Sequence, residues 1–144
     1  MKQNKNTNLQ GANLVGADLQ NANMKDATLE EANLQNADLD YAYLGNANLR
    51  DADFSKANFE DANLREANLK YANLWGANLQ DANLKYANLT IANLKDANLK
   101  YANLTGANFE DVNFTGLDFR GVSRKHLEEF LHYRRFLAQT KKED

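Results

Sequence analysis

From Leu9 to Phe119 every fifth residue is Leu, Phe or Met, without a slip. The register makes 23 consecutive five-residue units, Thr7 to Gly121, in a chain of 144 residues. Two positions before each large residue stands a small one: Thr7, then Ala from Ala12 to Ala107, then Val112 and Leu117. Between the pair stands a polar residue, mostly Asn and sometimes Asp. The unit reads A-N-L-x-x. A helix wants apolar residues at i, i+3, i+4 and i+7, and a strand wants alternation. Here the spacings are two, three, two, three. The spacing of two puts Ala and Leu on the same side of an extended segment. The spacing of three carries the chain round a corner. A chain that turns equally after every fifth residue winds into a coil, with Ala and Leu facing its axis and the other three positions facing water.

Repeats of this kind cannot bury a face alone, so they stack on their neighbours. Identical residues then fall above one another in Leu, Ala and Asn ladders. An Asn at the corner suits a turn, because its side chain bonds nearby backbone groups. Pro is absent, so no backbone donor is lost from the stacking. Gly11, Gly16, Gly76, Gly106, Gly116 and Gly121 all fall at the last position of their units, where a turn most needs a permissive backbone.

The A-(D/N)-L-x-x pattern resembles the pentapeptide repeat family, in the version common in cyanobacterial members. The resemblance covers about four-fifths of the chain. It implies an all-β solenoid, a right-handed quadrilateral β-helix with four units per coil. On that template the 23 units make between five and six coils. At ~4.8 Å per coil the rod is roughly 28 Å long. The implied organisation is a polar N-terminal tail at 1–6, the β-helix at 7–121, and a helix with a charged tail at 122–144.

The repeat decays at its end, where Val112 and Leu117 replace Ala, and Phe109, Phe114 and Phe119 replace Leu. Larger side chains can plug an interior with no further coil above it. Ser123 then offers a helix N-cap, and the following spacing predicts a helix from about Arg124 to Gln139. Its stripe, including Leu127, Phe130, Leu131 and Leu137, should cover the last coil, which otherwise exposes strand edges. Tyr133 and Phe136 widen the stripe beyond one contact. They predict a homodimer through this helix, as the C-terminal end forms in several relatives. Nothing comparable covers the N-terminal coil, because Met1 to Asn6 is too polar.

Chemistry finds little purchase. There is no cysteine, hence no thiolate or disulfide. His126 and His132 are six apart and share no helix face. No glycine-rich phosphate loop occurs, and carboxylate pairs such as Glu30 with Glu31 fall at outward positions without a cleft. No enzyme, cofactor or metal is expected. No apolar run is long enough to span a membrane, and the N-terminus lacks a signal-peptide core, so the cytoplasm is the expected location. The formal charge of −3 conceals a rod with 16 acidic and 9 basic side chains between slightly basic ends, which argues against direct nucleic-acid binding.

Function then has to lie on the outer surface. With four units per coil, residues 20 apart share a column. One face carries an acidic middle: Asp40, Glu60, Asp61 and Asp81. Tyr71 and Ile91 stack in another column with Trp75 round the next corner, and large apolar groups at outward positions mark an interaction patch. Tyr43 and Thr28 stand where Asn is usual and break the ladder; the pattern gives no reason for either. These features favour a non-catalytic protein–protein interaction scaffold. The alternative is a DNA mimic acting on type II topoisomerase, as in the quinolone-resistance branch of the family. The modest acidity, the interrupting Lys70, Lys85, Lys95 and Lys100, and the lack of projecting loops weaken it.

Overall fold

A computed structural model describes residues 7–125 and Glu128. The chain forms a solenoid without extended strands. Its sheet contacts are isolated parallel bridges, each between residues 20 apart, from Asn8↔Thr28 to Asn98↔Asp118. Four units therefore complete one coil. We name the four faces by their large residues in the first coil: the Leu9, Leu14, Leu19 and Met24 faces.

One unit, Ala62 to Glu66, shows where the backbone donors go. Asn63 N–H donates to Ala42 O in the preceding coil, at 2.9 Å. Leu64 N–H and Glu66 N–H donate to Asn83 O and Lys85 O in the following coil, at 2.8 and 2.9 Å. Ala62 N–H closes the corner on Phe59 O at 3.0 Å. The fourth-position N–H, that of Arg65, bonds the Asn63 side-chain Oδ1 at 3.1 Å. Every donor of the unit has a partner, as a packed backbone requires. The same side-chain bond, from the fourth-position N–H to the Asn or Asp two residues before, occurs in 21 of the 23 units. It is an Asx turn. The two units without it are those of Thr28 and Tyr43.

One sequence expectation needs correcting. Asn does not sit at the corner. It occupies the bridge in the middle of the flat side, half-buried, and the turn is made by the fourth and fifth positions. The side chain reaches forward to the corner because only there is a donor left over. The fifth position is left-handed in every unit, with φ between 53° and 72°. Seventeen of these residues are not glycine, and one, Ile91 at φ 58°, is β-branched. A β-branched residue is an outlier in that region. The coil imposes the conformation and the residue accepts it.

Inside, the Ala and large residues from Ala27 to Leu104 fill the core with relative exposures from 0 to 4%. Phe54 and Phe59 lie side by side in an edge-on pair, ring centroids 5.0 Å apart. The ends are looser. Leu9, Leu14, Leu19 and Ala22 are only partly buried, as are Phe114, Leu117 and Phe119, while Phe109 and Val122 are buried. The terminal phenylalanines thus plug the coil only in part. Arg124, Lys125 and Glu128 are helical, and Arg124 Nε pairs with Glu128 Oε1 at 2.8 Å. The expected cap and dimer residues Leu127, Phe130, Leu131, Tyr133, Phe136 and Leu137 lie outside the described residues, as do His126, His132 and Met1 to Asn6.

Candidate functional site

The outer surface is a lattice of amides and carboxylates before it is anything else. On the Leu19 face, Asn58, Asn78 and Asn98 each donate Nδ2 to the residue one coil below, at 2.9–3.0 Å. On the Leu14 face, Asn73, Asn93 and Asn113 do the same at 3.0–3.2 Å. On the Leu9 face Asn68 bonds Asn48 at 3.2 Å. Fourth-position side chains tie into this lattice 18 residues on. Gln20 and Gln35 donate to Asp38 and Asp53, while Glu30 and Glu60 accept from Asn48 and Asn78. Each cross-link pairs an amide donor with a carboxylate, and charge-assisted hydrogen bonds are the stronger kind.

The acidic face is partly absorbed by this lattice. Glu60 Oε2 accepts from Asn78 Nδ2 at 3.1 Å. Asp61 accepts the Tyr41 phenol, and that bond with the neighbouring carboxylates holds the phenol above its ordinary value. Asp40 Oδ1 is shielded from water and has no hydrogen-bond partner among the described residues. Asp81 stands one coil above Asp61 and completes the column. The charge does not run the length of the rod. Thr7 to Asp61 carry ten acidic and three basic side chains, whereas Ala62 to Gly121 carry six of each.

The aromatic patch divides between two corners. Trp75 leans towards the corner of Lys56, Gly76 and Asp96. Its Nε1 donates to Asp96 Oδ2 at 3.2 Å, and Lys56 Nζ lies 4.9 Å from its ring. Tyr71 lies at the preceding corner under Arg50 and Lys70, 5.5 and 4.9 Å from its ring centroid. Ile91 is one coil above Tyr71 on the same corner. Trp75 and Tyr71 are each 39% exposed and Ile91 is 45% exposed, so all three remain open to a partner, while the contacts of Trp75 and Tyr71 hold those two rings in place.

Two arrangements escaped the sequence reading. Lys70–Tyr71, Lys85–Tyr86 and Lys100–Tyr101 form stacked cation–aromatic pairs at 4.9–5.0 Å. Their repeated K-Y-A-N-L text was the available signal. Gly106 and Gly121 make room for the rings below them, since a side-chain carbon there would collide with Tyr86 and Tyr101 respectively. The second is a groove on the Met24 face beside Tyr43, with a volume of about 290 Å³. Its signal was a pair of irregularities: Tyr43 in an Asn position, and Gly45, the one glycine not at a fifth position.

Among the described residues no group of three or more His, Cys, Asp or Glu side chains is placed to hold a metal ion, and no helix is long and apolar enough to cross a membrane. Residues 5–36 and 27–65 match the model for pentapeptide repeats, and residues 52–128 match that for a pentapeptide repeat region. The chain is similar to Rfr23, a pentapeptide repeat protein of the cyanobacterium Cyanothece 51142. It shares 32% identity over 76% of this chain and 88% of Rfr23, with a TM-score of 0.74. It is also similar to HetL of the cyanobacterium Nostoc sp. strain PCC 7120, a pentapeptide repeat protein involved in heterocyst differentiation regulation. There the identity is 34% over 83% of this chain and 64% of HetL, with a TM-score of 0.60. No curated protein matches the chain.

Proposed function

The chain belongs to the pentapeptide repeat family, and we propose that it is a non-catalytic protein–protein interaction scaffold whose partner docks across Tyr71, Ile91 and Trp75. Members of the family are generally non-catalytic structural or interaction proteins. In its finer detail this reading takes the rod as a right-handed quadrilateral β-helix closed by a C-terminal helix.

One observation carries the proposal. Three large apolar side chains stand exposed at outward positions of a rigid coil, and Trp75 is held in one pose by Asp96 and Lys56. An aromatic anchor fixed before binding loses little entropy when it docks. Ile91 adds weight through its residue type: the coil imposes the left-handed backbone on every fifth position, and a β-branched residue is costlier there than Gly, Asn or Asp. The test is a pull-down from the source cell with Trp75→Ala as comparator. The expected result is a partner retained by the native chain and lost by a variant of equal melting temperature. Equal recovery by both would remove the patch from the interface.

The acidic column from Asp40 to Asp81 supports the second reading, a DNA mimic on type II topoisomerase. The neutral upper half of the rod weighs against it. A gyrase supercoiling assay decides: no inhibition and no protection from quinolone at micromolar protein would end this reading.

A further inference from the structure

We propose that the groove on the Met24 face binds a carboxylate, supplied by an acidic segment of the partner chain. Its floor is Gly45, which is buried. In 21 units the fourth-position N–H is taken by the Asn or Asp side chain two residues before. At Gly45 that residue is Tyr43, and among the described contacts the Gly45 N–H has no acceptor. A buried donor without a partner is costly, and a ligand oxygen would satisfy it. Ladder bonds are also missing here. Asn63 sits above Tyr43, which has no amide or carboxylate oxygen, and its Nδ2 makes no bond among the described residues; Asn83 and Asn103 higher on this face make no ladder bond there either.

The walls supply charge. Lys25 and Arg65 stand in the same column, one coil below and one coil above Gly45. The missing side chain at Gly45 leaves the space between them open. The carboxylates nearby are already engaged. Glu66 itself lines the groove and is held by Arg65 Nη2 and Nε at 2.9 and 3.0 Å, and Asp26 accepts from Asn46 Nδ2 at 3.1 Å. What remains is a concave set of donors: the Gly45 N–H, the Asn63 amide, Lys25, and the Nη1 of Arg65, whose Nε and Nη2 are the atoms that hold Glu66. Such a set suits a planar acceptor with two oxygens, because guanidinium and carboxylate match in geometry. The proposal deepens the scaffold reading and rests on it only for the source of the carboxylate.

The full-length protein is titrated with a fluorescein-labelled Gly-Glu-Gly-Glu-Gly peptide, with its Gln counterpart, and with succinate. The acidic peptide should bind and the Gln peptide should not. Arg65→Gln should weaken binding about tenfold, the effect of one charge-assisted hydrogen bond. Lys95→Gln, on another face, should leave it unchanged. Tyr43→Asn restores the residue usual at this position and gives the Gly45 N–H an internal acceptor. It should abolish binding while the melting temperature holds or rises, which separates lost binding from lost folding. Succinate bound with the same sensitivity while the peptide is not would keep the carboxylate site and assign it to a small free acid. The proposal is overturned if nothing binds at millimolar concentration, if the Gln peptide binds equally, or if Tyr43→Asn binds like the native chain. The scaffold reading stands or falls separately, on the Trp75 comparison.

Discussion

The Leu19 face and the Met24 face share one backbone and differ in one layer of side chains. On both, bridges run at the same interval: Asp38↔Asn58 and Asn58↔Asn78 on one, Tyr43↔Asn63 and Asn63↔Asn83 on the other. Behind both, Leu79 and Leu64 are fully buried. Yet the Leu19 face carries an amide ladder from Asp38 through Asn98, and the Met24 face carries no side-chain bond between its bridge residues among the described residues, its cross-coil amide bond being at the corner, from Asn46 to Asp26. The coil survives the loss without a change of register. Burial and backbone pairing therefore hold the fold, and the amide layer reinforces it. That layer is where a repeat protein can change its surface without unwinding, and Tyr43 with Gly45 is such a change.

Breaking what the two faces share should have the largest effect. Leu79→Ala and Leu64→Ala should each destabilise the protein by about 2–5 kcal/mol, the usual range for a buried Leu. Chemical denaturation should give similar values for the pair. A markedly smaller loss at Leu64 would mean that the Met24 face is already slack behind Tyr43, and the comparison would fail. Breaking what the faces do not share comes next. Asn78 makes four side-chain bonds, to Asn58, Glu60, Asn98 and the Gln80 N–H. Asn63 makes one, from the Arg65 N–H. At about 1 kcal/mol or less net for each such bond, Asn78→Ala should cost about 2 kcal/mol and Asn63→Ala well under that. Equal losses would show that the ladder contributes nothing measurable.

The same contrast explains how far the sequence could be read. The interior was legible because each coil poses the same packing problem, and Ala with Leu is the repeated answer. The family and the solenoid followed from it. The corners were advertised by Gly11, Gly16, Gly76, Gly106, Gly116 and Gly121, and more weakly by Asn or Asp, which tolerate the left-handed region and hold nine of the other seventeen fifth positions. Tyr41, Lys56 and Ile91 adopt the same left-handed backbone, and no local propensity announces that, because the coil imposes it from both sides. The outer residues were least legible. Glu60 reads as part of an acidic face, but its oxygen is met by Asn78, 18 residues away. Trp75 reads as an outward apolar group of an interaction patch, but its pose is set by Lys56 and Asp96, 19 and 21 residues away. Such contacts need the number of units per coil, which periodicity alone does not contain. Tyr43 and Gly45 were visible as departures from the pattern. Their meaning appeared only when Lys25 and Arg65 were placed on either side.

The smallest expected effect is one of acidity, and it separates the two faces again. The Leu19 face has a carboxylate in its ladder at Asp38, and the Met24 face has none at the equivalent positions Asn23, Tyr43, Asn63, Asn83 and Asn103. The Gln20 amide bonded to Asp38 lowers its carboxyl below 3.8, burial works in the opposite direction, and the Asp40 N–H and Asn58 amide add to the lowering. A carboxyl that is more acidic folded than unfolded stabilises the fold above its unfolded value. That contribution is lost as pH falls from 3.8 through the lowered folded value. Asp53 and Asp118 are lowered too, so the informative quantity is the difference between native protein and Asp38→Asn. Melting temperatures taken from neutral pH downwards should diverge least in acid, since a protonated Asp38 has already lost the charge that the amide variant never carries. A constant difference across the whole range would mean that Asp38 supports its face through shape alone. The charge in the ladder would then owe its place to the surface and not to stability.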